Sequence, residues 1–265
     1  MNSRRPFAFR RFTVRQDRCA MPVGTDGVLL GAWTAALLRS LGAGAASLHC
    51  LDVGTGTGLI ALMLAQALPQ AVVEAVEIDP DAAAQAVQNV AASPWPDRIR
   101  VHALALDGYD SRLPAAPAGT APGTATERDA AGAAFDLIVS NPPFYDATLK
   151  PADAARAMAR HNDALTWDAL MRFAARRLTP GGLLSLVCPT AALGDVFAAA
   201  TLAGLAPSHL TDVTTRLASP PKRTLAAFGR HAGAVERTRL DLRDAEGRYT
   251  DAYRALTADY YLTLR

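Results

Sequence analysis

No apolar run in this sequence approaches the roughly 20 residues that a membrane-spanning helix needs. A membrane partner is therefore not expected. Arg4 and Arg5 are followed by Phe7, Ala8, Phe9, Arg10 and Arg11, with no apolar stretch of signal-peptide length. A cytoplasmic location is the expectation. Cysteine is scarce: Cys19, Cys50 and Cys188 are far apart, odd in number and without metal-ligand spacing. That argues against a disulfide framework or a bound metal and for reduced core thiols. A large charge excess is also missing. The net charge is +2, so composition does not mark a polyelectrolyte binder. The charge is uneven, however. Arg4, Arg5, Arg10, Arg11, Arg15 and Arg18 crowd the first segment, with Asp17 as the acid among them. Lys222, Arg223, Arg230, Arg237, Arg239 and Arg243 crowd the last part. Basic ends on a near-neutral body can track a phosphate backbone. The alternative is ordinary surface arginine in an arginine-rich chain.

What is present is a repeating alternation. Half of the 265 residues are hydrophobic, ample for one α/β domain over residues 1–265. Apolar runs at 48–53, 72–78, 99–106, 135–139 and 183–187 read as strands. Segments 59–68, 80–92, 164–178 and 190–203 have helical spacing, and Pro180, Gly181 and Gly182 read as a helix stop. Strands alternating with helices predict a mostly parallel sheet covered on both faces. Residues 114–134 are rich in Pro, Gly, Thr and Ala, which predicts a surface insertion between two core strands. The domain divides into a leading segment 1–45, a core 46–206 and a final part 207–265. The final part reads as long strands rich in Thr, Arg and Val, then a closing helix over 251–262.

Asp52-Val53-Gly54-Thr55-Gly56-Thr57-Gly58 follows the first core strand and opens a helix. Glycines let a backbone bend sharply and approach a ligand closely. Position 59 is leucine, so the run is not the G-x-G-x-x-G dinucleotide fingerprint, and it lacks the Gly-Lys-Ser/Thr of a P-loop. The acid ahead of the glycines suits a ligand with an ammonium group better than a pyrophosphate. At the end of the second strand, Glu77 can take both hydroxyls of a ribose and Ile78 can cover an adenine face. Asp107, near the end of the third, can accept from an adenine amino group. The alternatives are a structural turn and solvated charges.

The fourth strand ends in Asn141-Pro142-Pro143-Phe144. Two consecutive prolines remove two backbone donors and restrict the residue before them, so strand pairing must stop. A carboxamide, an unpaired carbonyl and an aromatic face remain. Together they suit a planar, nitrogen-bearing substrate. The corner by itself leaves adenine, guanine and a glutamine amide open.

The glycine turn, Glu77 and the Asn-Pro-Pro-Phe corner resemble class I S-adenosylmethionine-dependent methyltransferases acting on nitrogen. Residues 11–21 (RFTVRQDRCAM), residues 23–33 (VGTDGVLLGAW), Ser93-Pro94-Trp95 and residues 256–262 (LTADYYL) are similar to bacterial tRNA(Val) adenine-37 N6-methyltransferases. The likeness spans nearly the whole chain except the 114–134 insertion. It departs at Phe144, where tyrosine is common in that family, and at Pro22, where lysine is expected. The resemblance implies a Rossmann-like fold with a mostly parallel seven-stranded sheet and helices on both faces. It implies S-adenosylmethionine as cofactor and the anticodon loop of a tRNA as partner. It implies that Thr25, Asp26, Asp52, Gly54, Gly56, Gly58, Glu77, Ile78 and Asp107 hold the cofactor. The catalytic set would be Asn141, Pro142, Pro143 and Phe144. Asn141 and the Pro142 carbonyl would accept the two N6 protons of adenine, and Phe144 would stack on the purine, worth about 1–3 kcal/mol. Thr25 and Asp26 read equally well as an N-cap for a helix over 28–38. Arg156, Arg160 and His161 can meet phosphate or line an exposed helix face, the second being the better reading of His161. Three rival readings remain at this stage. A protein-glutamine N5-methyltransferase would have a helical domain before the glycine loop, whereas residues 1–50 here are basic and aromatic. A guanine-N2 methyltransferase acting on ribosomal RNA can use the same corner. A non-catalytic RNA-binding module would keep the fold without turnover.

Overall fold

The structure is a computed structural model that describes residues 5–19, 21–114, 134–142 and 165–263. Pro143, Phe144, Arg156, Arg160 and His161 lie outside the described residues, as does nearly all of the 114–134 insertion. The chain opens with a small antiparallel pair, β1 (Phe7–Ala8) and β2 (Thr13–Val14). α1 (Thr25–Ser40) leads into β3 (His49–Val53), α2 (Leu59–Ala67), β4 (Val72–Glu77) and α3 (Pro80–Ala91). β5 (Ile99–Ala103), α4 (Leu106–Asp110) and β6 (Phe135–Ser140) follow. Then come α5 (Trp167–Arg177), β7 (Leu178–Pro189), α6 (Leu193–Leu202) and β8 (Ala206–Thr214). β9 (Arg223–Gly229), β10 (Glu236–Asp241) and α7 (Asp251–Thr257) close the chain.

The sheet order is β10-β8-β9-β7-β6-β3-β4-β5. The five strands from β7 to β5 are parallel, and β9 runs antiparallel between β7 and β8. The sheet therefore has eight strands where seven were expected. The extra one is β10, an edge strand parallel to β8. Its first four residues are exposed, so it has no apolar alternation to reveal it. Polar pairing holds it instead: Thr211 and Thr238 hydroxyls meet at 2.7 Å, and Arg237 Nε donates to Asp212 Oδ2 at 2.9 Å.

The alternation of strand side chains splits the core in two. Cys50, Leu137 and Val139 face the cluster built with α1, α2, α3 and α7. Leu51, Val53 and Ile138 face the cluster built with α5 and α6. A fully buried aliphatic side chain contributes roughly 1.5–3 kcal/mol, so these two layers hold the sheet. Cys50 and Cys188 are buried and Cys19 is partly exposed; all three are free, so the core-thiol expectation fits two of them. Among the described residues, no helix is long and apolar enough to cross a membrane.

Three boundaries move relative to expectation. The Pro180-Gly181-Gly182 stop lies inside β7, because α5 already ends at Arg177. Pairing shifts there from Phe135–Leu178 to Leu137–Leu183. Glycine is required at 182: a Cβ would sit 2.7 Å from the Phe135 carbonyl oxygen. The closing helix stops at Thr257, and Tyr261 bridges back to Phe9. The third core strand ends at Ala103, not near residue 106, and α4 begins at Leu106.

Candidate active site

Parallel register brings the strand ends together. Val53 lies opposite both Val76 and Ser140, and Glu77 opposite Ala103. The residues that follow, Gly54, Ile78 and Asn141, therefore leave the sheet along one edge. The chain moves outward from β3 to β4 and β5, then returns to the other side of β3 as β6. Such a switch point opens a crevice beyond the carboxyl ends of the strands, where open α/β sheets bind ligands.

The glycine loop is built as the sequence requires. Gly54, Gly56 and Gly58 have φ of 71°, 56° and 81°, the left-handed region that favours glycine. Gly58 also caps α2, and a Cβ there would stand 3.4 Å from Ala86 on α3. No described residue would meet a Cβ on Gly54 or Gly56. Its amides are anchored from below: Gly54 and Thr55 donate to the Val76 carbonyl at 2.9 and 3.0 Å.

Two acids hold this loop. Glu77 is buried; its Oε2 accepts from Gly56 N at 2.8 Å and its Oε1 from Asp79 N at 2.9 Å. Asp52 is fully buried. Its Oδ2 accepts from the Thr55 hydroxyl at 2.6 Å and from Ala61 N at 3.1 Å. Burial pushes its carboxyl up to about 7; the two hydrogen bonds pull it back, and the charge of Glu77 adds to the rise. Asp52 Oδ1 has no partner. Ile78 beside Glu77 is 47% exposed, unusual for an isoleucine at a strand end.

Asn141 is half-buried and Pro142 buried. Among the described residues, the Asn141 Oδ1 atom is buried without a partner, a costly arrangement unless a ligand donates to it. A Cβ on Gly27 would lie 3.7 Å from Asn141 Nδ2 and 3.2 Å from Leu59 Cδ2. The first turn of α1 thus meets the corner and the glycine loop together. Thr25 and Asp26 belong to that turn, but neither caps it. Gly24 is the N-cap and no side chain bonds there. Asp26 Oδ2 instead accepts from Arg223 Nε of β9 at 2.9 Å. Asp107 is exposed in the first turn of α4, its Oδ1 accepting from Gly108 N at 2.8 Å.

Other residues at this edge escape a motif reading. Ser140 Oγ donates to the Val53 carbonyl at 2.9 Å and ties the corner strand to the loop strand. Asn89 is buried on α3 and makes three bonds. Its Oδ1 accepts from Arg15 N at 2.8 Å, and its Nδ2 donates to the carbonyls of Arg15 and Thr57, each at 2.9 Å. Gln85 accepts from Arg18 N at 3.1 Å and donates to Asp17 Oδ1 at 2.7 Å. These amides strap residues 15–18 over α3, and Asn89 links that strap to the glycine loop. The signal was available: two amides four residues apart on the buried face of an alanine-rich helix. Among the described residues, no group of three or more His, Cys, Asp or Glu could hold a metal ion.

The chain is similar to known proteins over nearly its whole length. The family model described as Methyltransferase small domain matches residues 30–115. A Porphyromonas gingivalis protein named tRNA1(Val) (adenine(37)-N6)-methyltransferase is 43% identical over 261 residues, covering 97% of this chain and 95% of the relative. Proteins of the same name from Phocaeicola vulgatus and Edwardsiella ictaluri are 41% and 39% identical, covering 97% and 98% of this chain and 98% and 94% of theirs. Among solved structures, a predicted O-methyltransferase from Agrobacterium tumefaciens aligns with TM-score 0.57 at 20% identity, covering 91% of this chain and 99% of that one. That likeness shows the fold alone.

Proposed function

The chain belongs to the tRNA1(Val) (adenine(37)-N6)-methyltransferase family, and from that premise we propose that it methylates the exocyclic N6 of adenine 37 in the anticodon loop of tRNA1(Val), with S-adenosylmethionine as methyl donor. The observation that carries the reading is the meeting of the glycine loop, the first turn of α1 and Asn141 at one switch point, with Asn141 Oδ1 buried and unpartnered among the described residues.

The residues present fit the donor. No described residue crowds Gly54 or Gly56, and the exposed Ile78 offers an apolar surface to the donor's adenine. Glu77 keeps lone pairs for a ribose diol while its two backbone bonds hold it at the loop. Asp52 shapes the loop through Thr55 and Ala61, and Gly58 sets the approach of α2. With the donor bound, Thr25 and Asp26 would border its methionine end, and Asp107 would accept from its adenine amino group. When bound, the donor supplies a methyl already activated by its sulfonium, so the protein mainly orients and stabilises.

The chain's own groups then act on the acceptor. An adenine stacked within a helix cannot reach the corner; an unstacked loop base can. Asn141 Oδ1 accepts one N6 proton and the Pro142 carbonyl the other, which raises electron density on N6 and aims its lone pair. Phe144, with Pro143, lies outside the described residues and keeps the stacking role that the sequence assigns it. Methylated N6 is strongly acidic before it loses its proton, so no side chain is needed as general base.

Purified protein incubated with labelled S-adenosylmethionine and tRNA should place label in tRNA, and mass spectrometry should locate N6-methyladenosine at position 37. Label in protein alone, or on guanine N2, overturns the reading. No transfer to any RNA would favour a binding module.

A further inference from the structure

At the opposite end of α1 from the corner, three arginines from two separate elements converge. A cavity of about 480 Å³ is lined by Arg10, Arg11, Arg39, Gln66, Ala67 and Asp259. We propose that this cavity is a phosphodiester-binding site, a second seat for the backbone of the nucleic acid whose base enters the corner. The identity of the ligand rests on the RNA reading above; the anion site itself rests on the following geometry.

Among the described residues, the guanidiniums have neutral or distant partners. Arg10 Nε donates to the Tyr261 carbonyl at 2.8 Å, a neutral partner. Arg11 lies over the Trp95 ring at 5.3 Å, again neutral. Arg39 reaches the Asp259 carboxylate only at 3.8 Å, and both side chains are largely exposed. Gln66 Nε2 donates to the Asp259 carbonyl at 2.7 Å and so fixes the turn that carries this acid. The carbonyl end of α2 would repel an anion, but Arg98 covers it. Its guanidinium donates to Leu68 O and Ala71 O, each at 3.0 Å, and to Ala65 O. Burial, and then the charge of Arg11, lower the Arg98 pKa from its ordinary value. Three guanidiniums and one carboxylate thus line the cavity. Like charges lining one cavity favour an anion between them, and fork-shaped guanidinium groups suit phosphate oxygens.

Position fits the same ligand. Gly27 meets the corner and Arg39 ends α1, so twelve residues of helix separate the two sites, about 18 Å at the α-helical rise. A folded RNA seated at the corner by one base carries backbone phosphates at such a distance. Two seats, one reading a base and one reading charge, divide specificity from affinity.

The test is the salt dependence of tRNA binding by the full chain. For Arg10→Gln/Arg39→Gln, the slope of log affinity against log salt should fall by about one to two, because two phosphate contacts are lost. S-adenosylmethionine affinity should not change, and the far-ultraviolet circular dichroism should stay that of the wild type. Arg10→Lys/Arg39→Lys should recover most of the slope. Arg237→Gln, whose arginine is paired with Asp212, should leave the slope at the wild-type value. An unchanged slope in the glutamine double variant, or no tRNA binding by the wild type, overturns the proposal. Stabilisation of the wild type by inorganic phosphate with an unchanged tRNA slope would mark a small-anion site and overturn the nucleic-acid assignment. Failure of methyl transfer with the expected slope change would instead sink the reaction reading and spare the site.

Discussion

Asp52 is a fully buried acid with one oxygen unpartnered, so its protonation bears on stability. Its carboxyl sits near 7 in the folded chain against 3.8 for the ordinary group, chiefly through burial. Between those values the native state holds a proton that the unfolded chain has released. Unfolding free energy should therefore fall as pH rises through that window and level off above it, by at most about 1.4 kcal/mol per pH unit. Asp52→Asn should flatten this slope in urea unfolding; equal slopes in variant and wild type would refute the burial account. Asn141 is the complementary case. Asn141→Ala should lower methyl transfer by at least about 100-fold, as expected when a positioned hydrogen-bond acceptor is lost. Binding of S-adenosylmethionine, measured by calorimetry, should persist; loss of both would point to a collapsed corner. Both residues were legible in the sequence because each adjoins a strand end marked by Gly or Pro. The partner of Asp26 was not legible, since Arg223 lies 197 positions away and only the sheet brings them together.

At the scale of elements, a partly buried ion-pair network fixes the chain beside the long insertion. Arg177 at the end of α5 is 7% exposed. Its Nε donates to Asp110 Oδ1 at 2.6 Å, and its other nitrogens reach the Asp110 and Pro114 carbonyls. Burial alone would raise the Asp110 carboxyl, but the bonds from Arg176 and Arg177 hold it below its usual range. Removing Arg177 leaves Asp110 with Arg176 alone, bound at 2.7 Å, and strips the Asp110 and Pro114 carbonyls of their donors. Arg177→Ala should cost about 1.5–3 kcal/mol in chemical denaturation, the scale of hydrogen bonds to a charged group; a cost below about 1 kcal/mol would show the pair to be screened by solvent. Secondary structure was most legible where apolar period and punctuation agreed. β3, α2 and α3 appear almost at their expected limits, α3 opening on the Asp79 cap and Pro80. It was least legible where polar edges or close approaches decide. Pro180-Gly181-Gly182 reads as a stop, yet the absent Cβ of Gly182 lets the backbone pass Phe135 inside a strand. β10 is held by threonine and arginine pairs that no hydrophobic pattern announces.

For the whole molecule, donor binding should appear as stability. A ligand that binds only the folded chain adds about 2.7 kcal/mol at one hundred times its Kd, which for a domain of this size raises the melting midpoint by roughly 5–10 °C. A midpoint unmoved by S-adenosylmethionine would count against the donor assignment. Sequence alone determined the alternating α/β plan, the glycine turn and the proline corner. Each depends on short-range rules: hydrophobic period, the φ that only glycine adopts readily, and the donors that proline removes. Tertiary structure alone decided how these pieces meet. Parallel register placed Val53, Glu77 and Ser140 at one edge, Asn89 strapped the leading segment to the loop, and the packing of α1 against α2 brought Gly27 beside Asn141. The physical reason is distance along the chain. Contacts between residues far apart in sequence leave no local pattern, because their partners are chosen by burial and hydrogen-bond satisfaction in the folded core.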